Sequence, residues 1–188
     1  FALPILQLMD ANKKPNQRRE IKALILAPTR ELATQISDNF KEYGENLGFK
    51  HAVVFGGVSQ FHQVVAIKSG IDILIATPGR LLDLMQQGII KLGSIEYFVL
   101  DEADRMLDMG FINDMKKVIA KLPVKRQTMF FSATAAPNIM KLANTILNNP
   151  VSVAVNPVSS TATLVKQTVY FVQKTKKSAL LKFILEDR

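Results

Sequence analysis

Six short apolar runs punctuate the chain, at residues 23–27, 52–55, 71–76, 97–100, 128–131 and 151–155, with amphipathic stretches between them. Runs of this length, rich in β-branched and aromatic residues, predict strands buried on both faces. The stretches between them follow helical spacing. Leu32, Ile36, Phe40, Tyr43 and Leu47 predict one helix that Gly48 can end. Phe61, Val64, Val65 and Lys68 predict a second, stopped at Gly70, and Leu81, Leu82 and Met85 a third, stopped at Gly88. Phe111, Met115, Val118, Ile119 and Leu122 predict a fourth, with Pro123 just beyond. Pro137 suits the first turn of a fifth, carrying Ile139, Leu142, Ala143 and Ile146. Repeated strand–helix units imply an α/β fold: a parallel sheet with helices on both faces. Every strand then delivers its carboxyl end to one edge, where open sheets of this kind bind ligands.

The pattern changes near the end of the chain. Residues 156–163, Asn-Pro-Val-Ser-Ser-Thr-Ala-Thr, lack periodicity and predict a linker. Beyond it, residues 167–172 predict a new strand and 178–185 a new helix. The expected organisation is a first domain over 1–155, a linker over 156–163 and the start of a second domain over 164–188. The opening Phe1-Ala2-Leu3-Pro4-Ile5-Leu6 lacks the basic flank and cleavage site of a signal peptide, and it lacks an initiator Met. The chain is therefore expected to start inside a longer protein.

The run at 97–100 ends in acid: Asp101-Glu102-Ala103-Asp104. Carboxylates at the carboxyl edge of a sheet suit holding Mg2+ on a nucleotide and polarising a water for hydrolysis. The same residues also suit a solvated strand end with an acidic helix cap. Three further junctions share a design: Pro28-Thr29-Arg30-Glu31, Phe55-Gly56-Gly57-Val58-Ser59 and Thr77-Pro78-Gly79-Arg80. Helix amino termini present unpaired N–H groups and partial positive charge, which suits phosphate. Glycine admits close approach to the backbone, and Arg30 and Arg80 can add charge-assisted bonds. Taken singly, each junction also reads as ordinary helix capping. With neighbouring strands about 4.8 Å apart, the three together would match successive phosphates of a nucleic acid.

Charge and composition agree with such a partner. The formal net charge is +8, and much of the excess sits in residues 13–22 and 116–126. That balance favours a polyanion, nucleic acid first. The chain has no cysteine, which excludes disulfides and thiolate chemistry, and two histidines, His51 and His62, cannot build a His-rich metal site. No apolar run is long enough to span a membrane.

Pro-Thr-Arg-Glu-Leu-Ala at 28–33, Gly-Gly at 56–57, Thr-Pro-Gly-Arg at 77–80, Asp-Glu-Ala-Asp at 101–104 and Ser-Ala-Thr at 132–134 stand in the order and spacing of DEAD-box ATP-dependent RNA helicases. The chain resembles that family over essentially its whole length, with the general character of bacterial RhlE-type members. The resemblance implies the first RecA-like domain of an enzyme that uses ATP and Mg2+. Asp101 would hold Mg2+ through its water shell, and Glu102 would orient or activate the attacking water. Asp104 would bond to Ser132 and Thr134. Pro28, Thr29, Arg30, Gly56, Gly57, Thr77, Pro78, Gly79 and Arg80 would track one RNA strand by its backbone, without reading sequence. A cytoplasmic monomer working with a second RecA-like domain is implied.

The family's phosphate-binding Gly-Lys-Thr loop occurs nowhere in the chain. The resemblance places that loop and its strand just upstream of Phe1. It therefore implies a sheet lacking the P-loop strand, with an open lane between the strands at 128–131 and 151–155. These 188 residues alone are expected to bind ATP weakly. Two other readings stay open on the residues alone: a non-catalytic RNA-binding module on the same fold, and a DNA-directed helicase, against which Asp104 in place of His counts.

Overall fold

The computed structural model describes residues 1–13, 18–155 and 168–186. They belong to two compact units, Phe1–Pro150 and Val151–Arg188. In the first unit the order is α1 (Ala2–Ala11), β1 (Ala23–Leu26), α2 (Arg30–Tyr43), β2 (His51–Val54), α3 (Phe61–Lys68), β3 (Ile73–Ala76), α4 (Pro78–Gln86), β4 (Tyr97–Leu100), α5 (Ala103–Asp108), α6 (Ile112–Ile119), β5 (Gln127–Phe130) and α7 (Pro137–Ile146). The five strands form one sheet in the order β2-β3-β1-β4-β5, every pairing parallel.

Alternating side chains divide the core in two, as the period of a strand requires. Leu24, Leu26, Val54, Leu74, Ala76, Phe98 and Leu100 point to one face and pack with Leu81 and Leu84 of α4, Met106 of α5, Met115 of α6 and Leu142 of α7. Ala23, Ile25, Ile73, Ile75 and Val99 point to the other and pack with Ile5, Leu6 and Met9 of α1 and Ala33, Ile36 and Phe40 of α2. The strands β1, β3 and β4 are buried throughout, which is why they read as continuous apolar runs.

The register matters most for function. Leu26 pairs with Ala76 and with Leu100, Ala76 with Val54, and Leu100 with Phe130. All five strands therefore end in one row, and the residues that follow them open onto a single edge. The opposite edge is held by ion pairs. Arg19 bonds to Asp72, whose carboxylate also accepts the Lys50 amide at 2.7 Å, and Lys22 meets Glu96 at 2.8 Å.

Three expectations are corrected. Residues 151–155 form no strand: Val151, Val153 and Val155 are exposed and have no ladder partner among the described residues. An extended apolar run becomes a strand only where a neighbour pairs with its N–H and C=O groups. β5 is accordingly the edge of the five-stranded sheet, half-exposed along its length, and the expected lane beyond it has no second strand to bound it among the described residues. Residues 168–172 likewise form no strand, and the linker at 156–163 lies outside the described residues. Helix α2 ends earlier than its apolar spacing predicts. Gly44 caps it, where a Cβ would lie 2.7 Å from the Phe40 carbonyl oxygen, and Leu47 packs on the core from the turn beyond. In the second unit, α8 (Lys177–Glu186) covers the helix predicted at 178–185, with Leu181, Phe183 and Leu185 exposed.

Candidate functional site

The row of strand ends brings the sequence motifs into two neighbouring groups. The first is a groove of about 540 Å³ lined by Pro28, Thr29, Arg30, Phe55, Gly56, Thr77, Gly79 and Arg80, with Met109 and Phe111 opposite. It collects all three glycine- or proline-bearing junctions, which follow β1, β2 and β3. Thr29 is the N-cap of α2, and its hydroxyl accepts the Leu32 amide at 3.2 Å. Thr77, itself buried, is the N-cap of α4 and makes no side-chain cap bond. Pro28 and Pro78 are buried and shape the chain entering each helix; they offer the groove little surface. No atom lies within 4 Å of where a Cβ at Gly56, Gly57 or Gly79 would stand, and Gly57 adopts φ +81°. The backbone there is open to a close ligand.

The two arginines differ. Arg30 is the more exposed, with its guanidinium 6.0 Å from the centre of the Phe55 ring and a partner in Glu31 at 3.2 Å. Arg80 is held tightly by the protein: Nη1 donates to Gln63 at 3.2 Å, Nη2 to the Val58 carbonyl at 2.9 Å, and Nε lies 3.7 Å from Asp83.

The second group lies at the ends of β4 and β5. Asp101 directly follows β4, and its Oδ1 accepts the Glu102 amide at 3.0 Å. Burial pushes the Asp101 carboxyl above its ordinary pKa; the Glu102 amide bond opposes that, while the Glu102 charge adds to it. Glu102 adopts the left-handed conformation, φ 48° and ψ 52°, at the N-cap of α5. Asn149 is the other non-glycine residue with positive φ among the described residues. The Glu102 carboxylate meets Arg105 at 3.1 Å and stays about 40% exposed, open to water. Asp104 lies beside Ser132 and Thr134, which follow β5. Its partial burial raises the pKa, but the Arg105 amide, the Thr134 and Ser132 hydroxyls and the Thr134 amide outweigh it and hold the carboxyl below the ordinary value. Ser132 and Thr134 are tied to each other, Ser132 Oγ donating to the Thr134 carbonyl at 2.9 Å.

These shifts carry opposite signs. Asp104's interactions stabilise the fold above its unfolded pKa, and that contribution is lost as pH falls through the lowered folded value. Asp101 favours the fold when protonated, and this advantage is lost as pH rises through its raised value, so at neutral pH its charge is a cost. Carboxyl NMR titration should show Asp101 titrating above an ordinary aspartate and Asp104 below, with Thr134→Val raising the Asp104 midpoint. Equal midpoints for the two would contradict this electrostatic asymmetry.

The donor set suits a hydrated divalent cation. Asp101 Oδ2 makes no protein bond among the described residues, and its desolvated charge is one that a cation would relieve. No cluster of three or more metal-ligating side chains occurs among the described residues. For the phosphates of a nucleotide the chain holds no Gly-Lys-[Ser/Thr] run, and none of its residues is assigned to them. Two participants went unread in the sequence: Arg105, which holds Glu102, and Gln63, which holds Arg80. Glu102–Arg105 stands at i,i+3 on the edge of a helix and was legible as an ion pair. A buried glutamine on an amphipathic helix gives no such signal.

A family profile described as DEAD/DEAH box helicase matches residues 1–142. The chain belongs to the DEAD/DEAH box helicase family. It is 42% identical over 193 residues to the ATP-dependent RNA helicase dbp3 of Aspergillus terreus, covering 100% of this chain and 39% of that relative. It is 43% identical over 174 residues to the ATP-dependent RNA helicase RhlB of Xanthomonas axonopodis, covering 91% and 30%. The crystal structure of a DEAD box protein from Methanococcus jannaschii superposes with a TM-score of 0.71 at 38% identity, over 79% of this chain and 39% of that one. The fold of this helicase domain is thus RecA-like. The chain spans 30–39% of these relatives' lengths, and their names do not single out the RhlE type.

Proposed function

We propose that the protein containing this chain is an ATP-dependent RNA helicase, in which these residues supply most of the first RecA-like domain. The supporting observation is the common row of strand ends, which sets the half-buried Asp101 and the more open Glu102 beside a groove of open backbone and helix N-termini. On this reading residues 1–155 belong to the first RecA-like domain, 156–163 to the linker and 164–188 to the beginning of the second.

The roles follow from the local chemistry. Mg2+, when bound, would neutralise phosphate charge, and Asp101 would hold it through water. Glu102, kept in place by Arg105, accepts a hydrogen bond from the attacking water and takes up its proton. Asp104 ties the end of β4 to Ser132 and Thr134 after β5, so a change at the acid pair moves the segment after β5 with it. Across the groove, Thr29, Arg30, Gly56, Gly57, Thr77, Gly79 and Arg80 hold one RNA strand by its sugar-phosphate backbone. Pro28 and Pro78 set the entry of their helices. Such contacts position a strand without reading its sequence. We assign the protein to the cytoplasm and regard it as a monomer; no helix among the described residues is long and apolar enough to cross a membrane.

Arg30→Ala in the full-length protein tests the RNA track. Binding should weaken about equally for unrelated single-stranded sequences. The salt slope of log K should fall by about 0.7, the value for one phosphate contact on a single strand. A loss confined to one sequence would mean base readout, and unchanged binding would remove Arg30 from the track.

A further inference from the structure

The side chain that organises the groove is not one of its motif residues. Gln63 lies on α3, is buried, and makes three bonds toward the groove wall. Its Oε1 accepts the Phe55 amide at 3.2 Å, and its Nε2 donates to the Phe55 carbonyl at 3.1 Å. The same Oε1 accepts Nη1 of Arg80 at 3.2 Å, while Nη2 of Arg80 donates to the Val58 carbonyl at 2.9 Å. One amide thus grips both backbone polar groups of the last residue before the glycine pair. It also grips the arginine that holds the residue just after that pair. A second tie runs alongside: Gln60 and Gln87 exchange bonds at 3.0 and 3.1 Å, and Gln87 donates to Asp83 at 2.9 Å. Asp83 in turn faces Nε of Arg80.

We propose that Gln63 is a positioning residue for nucleic-acid binding, fixing the Gly56-Gly57 segment and Arg80 relative to each other so that the second and third junctions act as one backbone clamp. This rests on the groove being the RNA track. The physical need is plain. Gly56 and Gly57 have no side chains to pack, and nothing stands within 4 Å of their missing Cβ atoms. A segment so free loses conformational entropy when a phosphate orders it. Tying both its ends to α3 and α4 removes much of that cost before the ligand arrives. Three of the five N–H groups of Arg80 face protein acceptors, Gln63, Val58 and Asp83. Arg80 therefore acts as much by holding the segment as by its own charge.

The experiment measures equilibrium binding of two fluorescent single-stranded RNAs, oligouridylate and an unrelated mixed sequence, to full-length wild type, Gln63→Leu, Gln63→Glu, Arg80→Ala and Gln63→Leu/Arg80→Ala, with Arg30→Ala for reference. Gln63→Leu should weaken both RNAs by about threefold to tenfold, the worth of a lost buried hydrogen bond. The double variant should bind better than the product of the two single losses, because both act through one clamp. Gln63→Glu preserves size and the acceptor for the Phe55 amide, loses the donor to the Phe55 carbonyl, and pairs Arg80 with a charge. It should lower the salt slope by up to about 0.7, a readout that a merely structural role would not move. This variant also serves should Gln63→Leu fail to fold.

Wild-type affinity and slope in both Gln63 variants would overturn the inference, as would single losses that multiply within about twofold. If Arg30→Ala and Arg80→Ala both bind RNA normally, the RNA track itself fails and the inference falls with it. Weakened arginine variants beside normal Gln63 variants would sink the inference alone.

Discussion

Glu102→Gln in the full-length protein should abolish most RNA-stimulated ATP turnover, by about 10²- to 10⁴-fold, while ATP binding persists. The substitution removes a proton acceptor and little else. Gln keeps the length of Glu, and its carbonyl oxygen can still accept from Arg105, which now bonds the carboxylate at 3.1 Å. The left-handed backbone of residue 102 is set by the turn from β4 into α5 and is no harder for Gln than for Glu. Asp101 keeps its own bond to the residue 102 amide, so the cation position is undisturbed. Steady-state hydrolysis and nucleotide binding, measured side by side, separate the two effects. Near-normal turnover would remove Glu102 from the proton-accepting role, and loss of binding with turnover would make it a ligand rather than a base.

The largest stability effect should come from Phe98→Ala. Phe98 is fully buried at the second position of β4, paired in register with Leu24 and Thr128 on either side. The Arg126 guanidinium lies 5.9 Å from its ring centre. Truncation leaves a cavity between the sheet and its helix layer and costs about 3–5 kcal/mol. Arg126 would lose its aromatic neighbour while remaining partly desolvated, a state that already lowers its pKa. Globular domains hold only about 5–15 kcal/mol in total, so this change alone would threaten the fold. Denaturant titration should show a large fall in midpoint with little change in slope. A shift of under about 1 kcal/mol would mean that the core repacks around the gap.

The strand–helix alternation was legible because β1, β3 and β4 are buried on both faces, and burial on both faces writes a continuous apolar run into the chain. The acid pair and the three junctions were legible because their residue types are chosen by local chemistry. The edges were not. Residues 151–155 carry the same apolar signal as β5, yet only β5 forms a strand, since β4 lies beside it to accept and donate. Helix α1 and the short α5 also escaped the periodicity reading. α1 packs a mostly apolar opening onto α2 and the sheet, and α5 follows the acid motif so closely that its six residues show no period of their own.

By itself, then, the sequence determined the class of fold, the identity of the chemical groups and their order along the chain. These are properties of short segments, set by side-chain type and by periods of two and 3.6. The tertiary structure alone decided that Leu26, Val54, Ala76, Leu100 and Phe130 end in one row, which turns separate motifs into a single edge. It decided that Pro28 and Pro78 are buried while Arg30 faces the groove, and that Arg80 is braced by Gln63 from another helix. Register and side-chain partnership are set by packing between residues far apart in the chain, and no local pattern encodes which amide a distant glutamine will meet.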